Sequence, residues 1–463
     1  MTELKIYNSK TQQKELFNPI DPKHIGIYVC GITVYDYCHI GHARTALAFD
    51  VIVRYLKYKY GAEHVIFVRN ITDIDDKIIA RAQENNEDVK ALTTRFIAAM
   101  NKDFADLALL KPEREPLATE YMDKMILLIH GLIAKGFAYQ ATNGDVYYKV
   151  RAYDKYGSLA KRSLADLLSG SRVEINEAKN DPLDFVLWKM AKEGEPAWDS
   201  PWGKGRPGWH TECSAMSLDL LGETFDLHGG GFDLIFPHHE NECAQSEAFT
   251  GKEFVKTWMH VGFLQIDKEK MSKSLNNFLT IKDILQEVKP EELRFFMLQG
   301  HYRSQLDYSM EQLKLAKNSL DRLYTALSEV NIAATTEPTL FTLYEQKFFA
   351  AMDDDFNTPE AIAVLHELAR ELNKVKGTHE AFGLALLLKN LGAILGILQR
   401  DPAEALGVLE VVDQKIQDLI QARETARQQK NWAEADRIRA ELTKLGVKLE
   451  DTGAGATKAK KTS

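Results

Sequence analysis

Ile25-Gly26-Ile27-Tyr28-Val29-Cys30-Gly31-Ile32-Thr33 is an apolar, β-branched run, and Tyr35-Asp36-Tyr37-Cys38-His39-Ile40-Gly41-His42 follows it at once. The pattern predicts a buried strand over 25–33 and a helix from Ala43 to about Tyr60, closed by Gly61 as its C-cap. A second apolar run, His64 to Ile71, predicts another strand. Strand, helix and strand in this order make a βαβ unit, hence a parallel sheet with right-handed crossovers. Ligands of such sheets sit beyond the carboxyl ends of the strands. Cys30 to Thr33 and Asn70 to Asp75 lie at those ends.

Outward from this unit the pattern changes near Pro112. A helix is expected over Ala118 to Gly136, then short strand-like pieces around Val146 to Val150 and a loop rich in Gly, Ser and charge. The sheet pattern resumes near Asp226, so 113–206 reads as an insertion within the first domain. An apolar strand is expected over Val261 to Ile266, and helices throughout Lys317 to about Arg400. Asn357-Thr358-Pro359-Glu360 opens one of these with a cap residue and an early proline. A charged helix pair fills Pro402 to Asp451, and the Gly, Ala, Lys and Thr tail after it is expected to be disordered.

At 463 residues the chain exceeds one core, and three or four units are expected. Glu3, Lys5 and Lys10 interrupt the first ten residues, which speaks against a secretory signal, and no run of about 18 apolar residues occurs. The expected address is cytoplasmic, with no membrane partner. Four cysteines (Cys30, Cys38, Cys213 and Cys243) are too sparse for a disulfide framework and leave metal binding, catalysis or burial. A net charge of −9 means that RNA would have to find local basic faces.

Two strings carry chemistry. His39-Ile40-Gly41-His42 puts two imidazoles on one face of a helix start, where backbone N–H groups favour phosphate and Gly41 permits close approach. The pair can act as phosphate ligands or simply as helix caps. Lys270-Met271-Ser272-Lys273-Ser274 follows an apolar strand, and its two lysines suit a leaving pyrophosphate or a solvated turn. Together the strings resemble the two ATP-binding motifs of class I aminoacyl-tRNA synthetases, on opposite sides of an insertion as that class requires.

Within the class the chain resembles the cysteinyl-tRNA synthetase family from about residue 3 to residue 453. The resemblance rests on Tyr28 to Asp36, Asn70 to Asp76 and Gly208 to Met216. It rests further on Asp226 to Gly231, with Asp233 and Pro237 to Glu242 after it. It implies an α/β fold in which a Rossmann-type parallel sheet is formed by 1–112 and 207–250 around the connective insertion 113–206. A connecting domain with the Lys-Met-Ser-Lys-Ser string (251–316), an α-helical bundle (317–401), an anticodon-binding module (402–452) and the tail 453–463 would follow. It implies ligation of L-cysteine to tRNA(Cys) through a cysteinyl-adenylate, with Mg²⁺ accompanying ATP. His39, Gly41, His42, Lys270 and Lys273 would serve ATP, and Gly31, Thr72, Trp209, His228 and Asp233 would surround cysteine and the adenylate. Trp209 could equally be a core residue.

The resemblance also assigns Cys30, Cys213, His238 and Glu242 as ligands of one Zn²⁺ per chain. His238 and Glu242 stand i, i+4 on an expected helix, which favours His238 over its neighbour His239. Zinc would serve selection, because a substrate thiol is a soft ligand that the metal deprotonates, whereas serine's hydroxyl is not. An insertion under about 100 residues fits an enzyme without an editing domain. Cys38 and Cys243 read as small apolar residues.

For tRNA the last module offers Arg423, Arg427, Lys430, Arg437, Arg439 and Lys444, with Trp432 among them. Basic residues beside an aromatic suit phosphate contact plus base stacking. The alternative is a solvated helix pair with Trp432 in its core. Gly453 to Thr457 lacks the tryptophan that usually ends the family, which counts against a tRNA contact by the extreme terminus. A monomer is expected. Three rivals remain: another nucleotidylyltransferase, a cysteine ligase of mycothiol synthesis and a non-catalytic RNA-binding descendant. The first two would lack the module after Pro402, and the third would have lost the ATP motifs.

Overall fold

The computed structural model describes residues 3–170, 178–266, 269–270, 278–328, 330, 342–407, 414–445, 447–451 and 457–461. The chain gathers into two compact units. One is 1–313 with 349–361, the other 314–348 with 362–463.

In the first unit four parallel strands form the central sheet, in the spatial order Val255–Val261, Phe225–Gly231, Ile25–Thr33, Val65–Thr72. The chain therefore leaves Ile25–Thr33 toward one neighbour and returns much later on its other side. That reversal puts a topological switch point between Ile25–Thr33 and Phe225–Gly231. Arg114 and Leu117 extend the far edge through bridges to Val68 and Ile71. Buried Arg44, one turn into the first helix (Ile40–Tyr60), donates to the carbonyls of Met297 and His301. The residues that open this helix are thereby fixed against the 290–304 segment.

The insertion carries a four-stranded antiparallel sheet: Ala138–Gln140, Val146–Tyr148, Phe185–Met190 and Gly205–Pro207. The long helix expected over Ala118 to Gly136 is a short tight turn, Ala118–Tyr121, followed by the helix Met122–Ala134. Its core is not its own. Met125, Ile129, Tyr148 and Trp188 pack in one cluster with Ala215, Ala244 and Ala248, which belong to the two site-bearing helices described below.

The strand expected over Val261 to Ile266 is two strands, Val255–Val261 and Leu264–Ile266. Gly262 marks the break: a Cβ there would lie 2.5 Å from the carbonyl oxygens of Arg303 and Ser304. Residues 349–361, expected within the bundle, group with the first unit, where buried Asp355 accepts from Tyr7 N–H, Tyr302 and Arg303.

The second unit contains the helix His379–Ile394, and its last module pairs the helices Gln414–Gln428 and Trp432–Lys444. The tail expected to be disordered contains a strand, Thr457–Lys461, paired antiparallel with Val447–Asp451. Its only apolar side chains are alanines, but a ladder is held by backbone hydrogen bonds that composition does not report. Among the described residues no helix is long and apolar enough to cross a membrane.

Candidate functional site

Pairing of Ile25–Thr33 with Phe225–Gly231 ends at Val29, and its register against Val65–Thr72 shifts between Val29 and Ile32. The strand departs from regular pairing at Cys30 and Gly31, at the switch point, where such an irregularity re-aims side chains. Gly31 is required by contact: a Cβ would sit 1.6 Å from the Asn70 carbonyl oxygen, and the Gly31 N–H donates to Asn70 Oδ1 at 2.8 Å.

Three further elements converge on Cys30. The helix Trp209–Leu221 supplies Cys213, whose Sγ lies 3.6 Å from that of Cys30. The turn Ile235–His239 and the helix Glu240–Thr250 supply His238 and Glu242, with Nε2 and Oε1 2.9 Å apart. Cys30 Sγ lies 3.2 Å from the same Glu242 oxygen. Donor atoms of Cys30, Cys213, His238 and Glu242 all fall within 4.8 Å of one another, and all four residues are buried. Cys30, His228, His239 and Glu242 satisfy the same condition. The two sets share Cys30 and Glu242, so a single ion would choose between them.

The electrostatics suit a cation. Burial opposes ionisation of Glu242, yet His228 and His238 hold its carboxyl well below the usual range. Burial opposes a charge on His238, and Glu242 with Cys213 overcomes it, raising the imidazole to about 10. Burial likewise resists thiolate formation at Cys213, but the hydrogen bond from Cys30 and the contacts with His238 together draw the thiol down to about 6. Burial and the adjacent Cys213 push Cys30 up. The cluster thus gathers anionic and soft donors where water is excluded, a setting that a divalent metal relieves.

Around it stand further histidines, His210, His239 and His260, of which the sequence marked only His239, as the rival of His238. His210 Nδ1 lies 2.9 Å from His238 Nδ1, and His239 Nε2 lies 3.3 Å from Cys30 Sγ. His239 Nδ1 lies 2.8 Å from His260 Nε2, and His260 Nδ1 lies 2.8 Å from Ser9 Oγ. Asn70 and Glu212 sit within the quoted strings, but their partners become visible only in the fold. Trp209 is not a core residue: it is 36% exposed and stacks on His238 with ring centroids 4.1 Å apart. His228 Nε2 lies 2.8 Å from Glu242 Oε2, Thr72 bonds Glu212, and exposed Asp233 lies in the turn directly after Phe225–Gly231.

The histidine pair opens the helix that follows Ile25–Thr33. The His39 N–H donates to His42 Nδ1 at 3.3 Å, and the His42 N–H donates to His39 Nδ1 at 3.2 Å. Both residues are thus caps, and the rings stack at 3.6 Å. Capping does not exhaust them. A ring whose Nδ1 accepts must carry its proton on Nε2 when neutral, so the second nitrogen of each ring is an N–H donor. Burial, and then His39, lowers the pKa of His42 and keeps its ring neutral.

The lysine string connects to this helix start. Lys270 ends a short strand, Glu269–Lys270, that pairs with Leu264–Ile266. Its side chain, and residues 271–277 including Lys273, lie outside the described residues. Just beyond them, Leu279 O accepts from Ile40 N–H at 3.1 Å, Cys38 O accepts from Ile281 N–H at 2.8 Å, and Phe278 meets the His39 ring edge-on. The chain leaving the lysine string is therefore stitched to the residues that carry His39 and His42.

In the C-terminal module the core is Ile438, Leu442, Val447 and Leu449, with Ile416, Leu419 and Ile420 against it. Trp432 is 59% exposed, so the alternative that placed it in this core does not hold. Arg423 needs correction in the other direction. Offered as an RNA contact, it is buried at 4% exposure, because its face of the helix turns inward, and it presents no surface to a phosphate. Lys430 and Arg439 are exposed, Arg427 is half-buried, and Arg437 pairs with Glu434 and Glu441 at 2.8 and 3.2 Å.

Parallel sheet, switch-point crevice and histidine-capped helix together describe the class I tRNA synthetase catalytic fold, and the family "tRNA synthetases class I (C) catalytic domain" matches residues 16–318. The solved Mycobacterium tuberculosis methionyl-tRNA synthetase in complex with methionyl-adenylate has the same fold, at a TM-score of 0.60 and 16% identity over 89% of this chain and 96% of that one. A DALR domain matches 347–399 and a cysteinyl-tRNA ligase anticodon binding domain 411–457. Cysteine–tRNA ligases of Chromohalobacter salexigens and Dichelobacter nodosus are 54% and 55% identical over 98% of this chain and 99% of theirs. The chain belongs to the cysteine–tRNA ligase family.

Proposed function

We propose that the chain ligates L-cysteine to tRNA(Cys), forming a cysteinyl-adenylate from ATP and then transferring the cysteinyl group to the tRNA 3′ end, with the thiol recognised at the buried Cys-Cys-His-Glu cluster. The observation that carries the recognition step is the convergence of Cys30, Cys213, His238 and Glu242 at the switch point, beside the helix start that carries His39 and His42. These four side chains would hold Zn²⁺. Two thiolates, an imidazole and a carboxylate match its preferences better than the set with one thiol, and both carry outer partners: His210 on His238 and His228 on Glu242. Zinc bound there supplies a soft Lewis acid that favours a thiol over a hydroxyl.

The remaining chemistry falls to the chain's own groups. His39 and His42 offer Nε2–H donors to α- and β-phosphate oxygens as negative charge builds, and Gly41 leaves the approach open. The ammonium groups of Lys270 and Lys273 neutralise the leaving pyrophosphate, whose Mg²⁺ arrives with ATP. Trp209, Thr72, His228 and Asp233 surround the amino acid. Lys430, Trp432, Arg427, Arg437 and Arg439 serve tRNA contact, and Arg423 supports their helix from within.

Cobalt replacement tests the recognition step, because each thiolate adds sulfur-to-metal charge-transfer absorbance. Cysteine should raise that absorbance and serine at equal concentration should not. Full-affinity cysteine binding with an unchanged spectrum would make the metal structural and put selectivity elsewhere.

A further inference from the structure

Among the described residues, Cys30 and Cys213 are the one pair of cysteines whose sulfurs meet, with Sγ atoms 3.6 Å apart. Cys243 faces the carboxylate of Glu247 at 3.5 Å, and buried Cys38 has no sulfur beside it. A disulfide bond is about 2.05 Å long, so the pair has to close by about 1.5 Å. A cysteine sulfur travels further than that on rotating about its Cα–Cβ bond. Cys30 also stands where regular strand pairing lapses, between Val29 and Ile32, which leaves room for a small shift. Cys30 is 9% exposed and Cys213 1%, so a small reagent reaches Cys30 first. A pocket that admits the thiol of cysteine admits hydrogen peroxide, which is smaller.

We propose that Cys30 and Cys213 form a redox switch in the amino-acid pocket, closed to a disulfide by peroxide and reopened by thiols, substrate cysteine among them. This rests on the reading that the two sulfurs hold zinc and face the substrate thiol. The Cys30 sulfur attacks one peroxide oxygen, the O–O bond breaks, and a sulfenic acid forms with release of water. Cys213 attacks the sulfenic sulfur, the S–O bond breaks, and the hydroxyl leaves with the Cys213 proton as a second water. Two thiols and one peroxide thus give one disulfide and two waters, and the sulfurs lose the two electrons that the peroxide gains. Where the sulfurs start as zinc-bound thiolates, two solvent protons replace the thiol protons. A sulfenic acid with a thiol at contact distance condenses instead of climbing to sulfinic acid. A disulfide is no thiolate ligand, so two of the four metal donors vanish and the ion leaves. Exchange with two free cysteines restores both thiols and releases cystine. Charging therefore stops when oxidant prevails and resumes when reduced cysteine does.

The test treats full-length, zinc-loaded enzyme with hydrogen peroxide and follows thiols, metal and peptides together. Thiols titrated after denaturation should fall from four to two, with one zinc released per disulfide. Peptide mass spectrometry without reductant should join the Cys30 and Cys213 peptides, two hydrogens lighter than their sum. Cysteine-dependent pyrophosphate exchange should fall in proportion to the linked fraction. Cysteine added with zinc should restore thiols, metal and exchange, and serine added with zinc should restore none of them. Cys38→Ala with Cys243→Ala should leave the cross-link and the zinc release unchanged. In Cys213→Ser the Cys30 sulfenic acid has no thiol to condense with, and dimedone should capture it. Zinc release with four thiols intact, sulfinic acid at Cys30 without the cross-link, or a disulfide that cysteine does not reopen overturns the proposal. The zinc–thiol reading fails separately, if the cobalt spectrum ignores cysteine while the cross-link still forms.

Discussion

The switch-point cluster and the C-terminal helix pair solve opposite problems with the same kind of residue. At the switch point, charged and polar side chains are buried almost completely and are tolerable only because each faces another: Glu242 has His228 and His238, and Cys30 has Cys213 and His239. In the helix pair the core is a handful of aliphatic residues, and most cationic side chains stay at the surface with Trp432. A buried polar cluster is committed to one geometry, since losing any member strands its partners. An exposed basic face is built from parts that act nearly independently. Damage should therefore be cooperative in the first region and graded in the second.

The largest effect belongs to Cys213→Ser. It should lose zinc and cysteine affinity together, by more than the roughly 10–100-fold that outer-shell changes cost, and metal content with cysteine titration checks it. Retained zinc with intact cysteine binding would break the contrast. Lys273→Ala should slow pyrophosphate exchange by roughly 10²-fold or more, the scale of one transition-state donor, while cysteine binding without ATP stays put. Trp432→Ala should weaken tRNA binding by about 1–3 kcal/mol, the range for a base stacked on an aromatic, with exchange unaffected. The smallest effects sharpen the second region. Arg439→Ala should lower tRNA affinity modestly and reduce the salt slope by about one, leaving the melting temperature alone. Arg423→Ala should do the reverse, melting the module earlier through lost packing while the salt slope stays constant.

Much of the first region could be read from the chain because its strings are local. A β-branched run ending in Cys30, a histidine pair opening a helix and an i, i+4 His238–Glu242 pair are all visible at short range. What stayed hidden was long-range pairing. Nothing in Cys38 to Ile40 announces that Leu279 and Ile281 bond to them, and nothing in Thr211 to Cys213 announces Glu212 beneath Thr72. His210 and His260 were equally silent, because a lone histidine carries no signature until its neighbours are known. In the C-terminal module composition misled twice. It grouped Arg423 with its exposed neighbours, although a helix gives successive residues different faces, and it hid a strand within a Lys- and Ala-rich tail.

Each imidazole of the His39–His42 pair has its Nδ1 engaged in closing the helix, and the function proposed above assigns its Nε2 to a nucleotide. Folding and chemistry are thus wired through a single ring. A mutational scan would score these two positions as stability sites and as activity sites at once, with neither score interpretable alone. Asparagine, a strong N-cap residue, separates the two: His39→Asn can still accept the His42 N–H and hold the helix start, while the ring's second nitrogen is gone. The better the replacement cap, the cleaner the resulting enzyme would be as a folded but silent copy of itself.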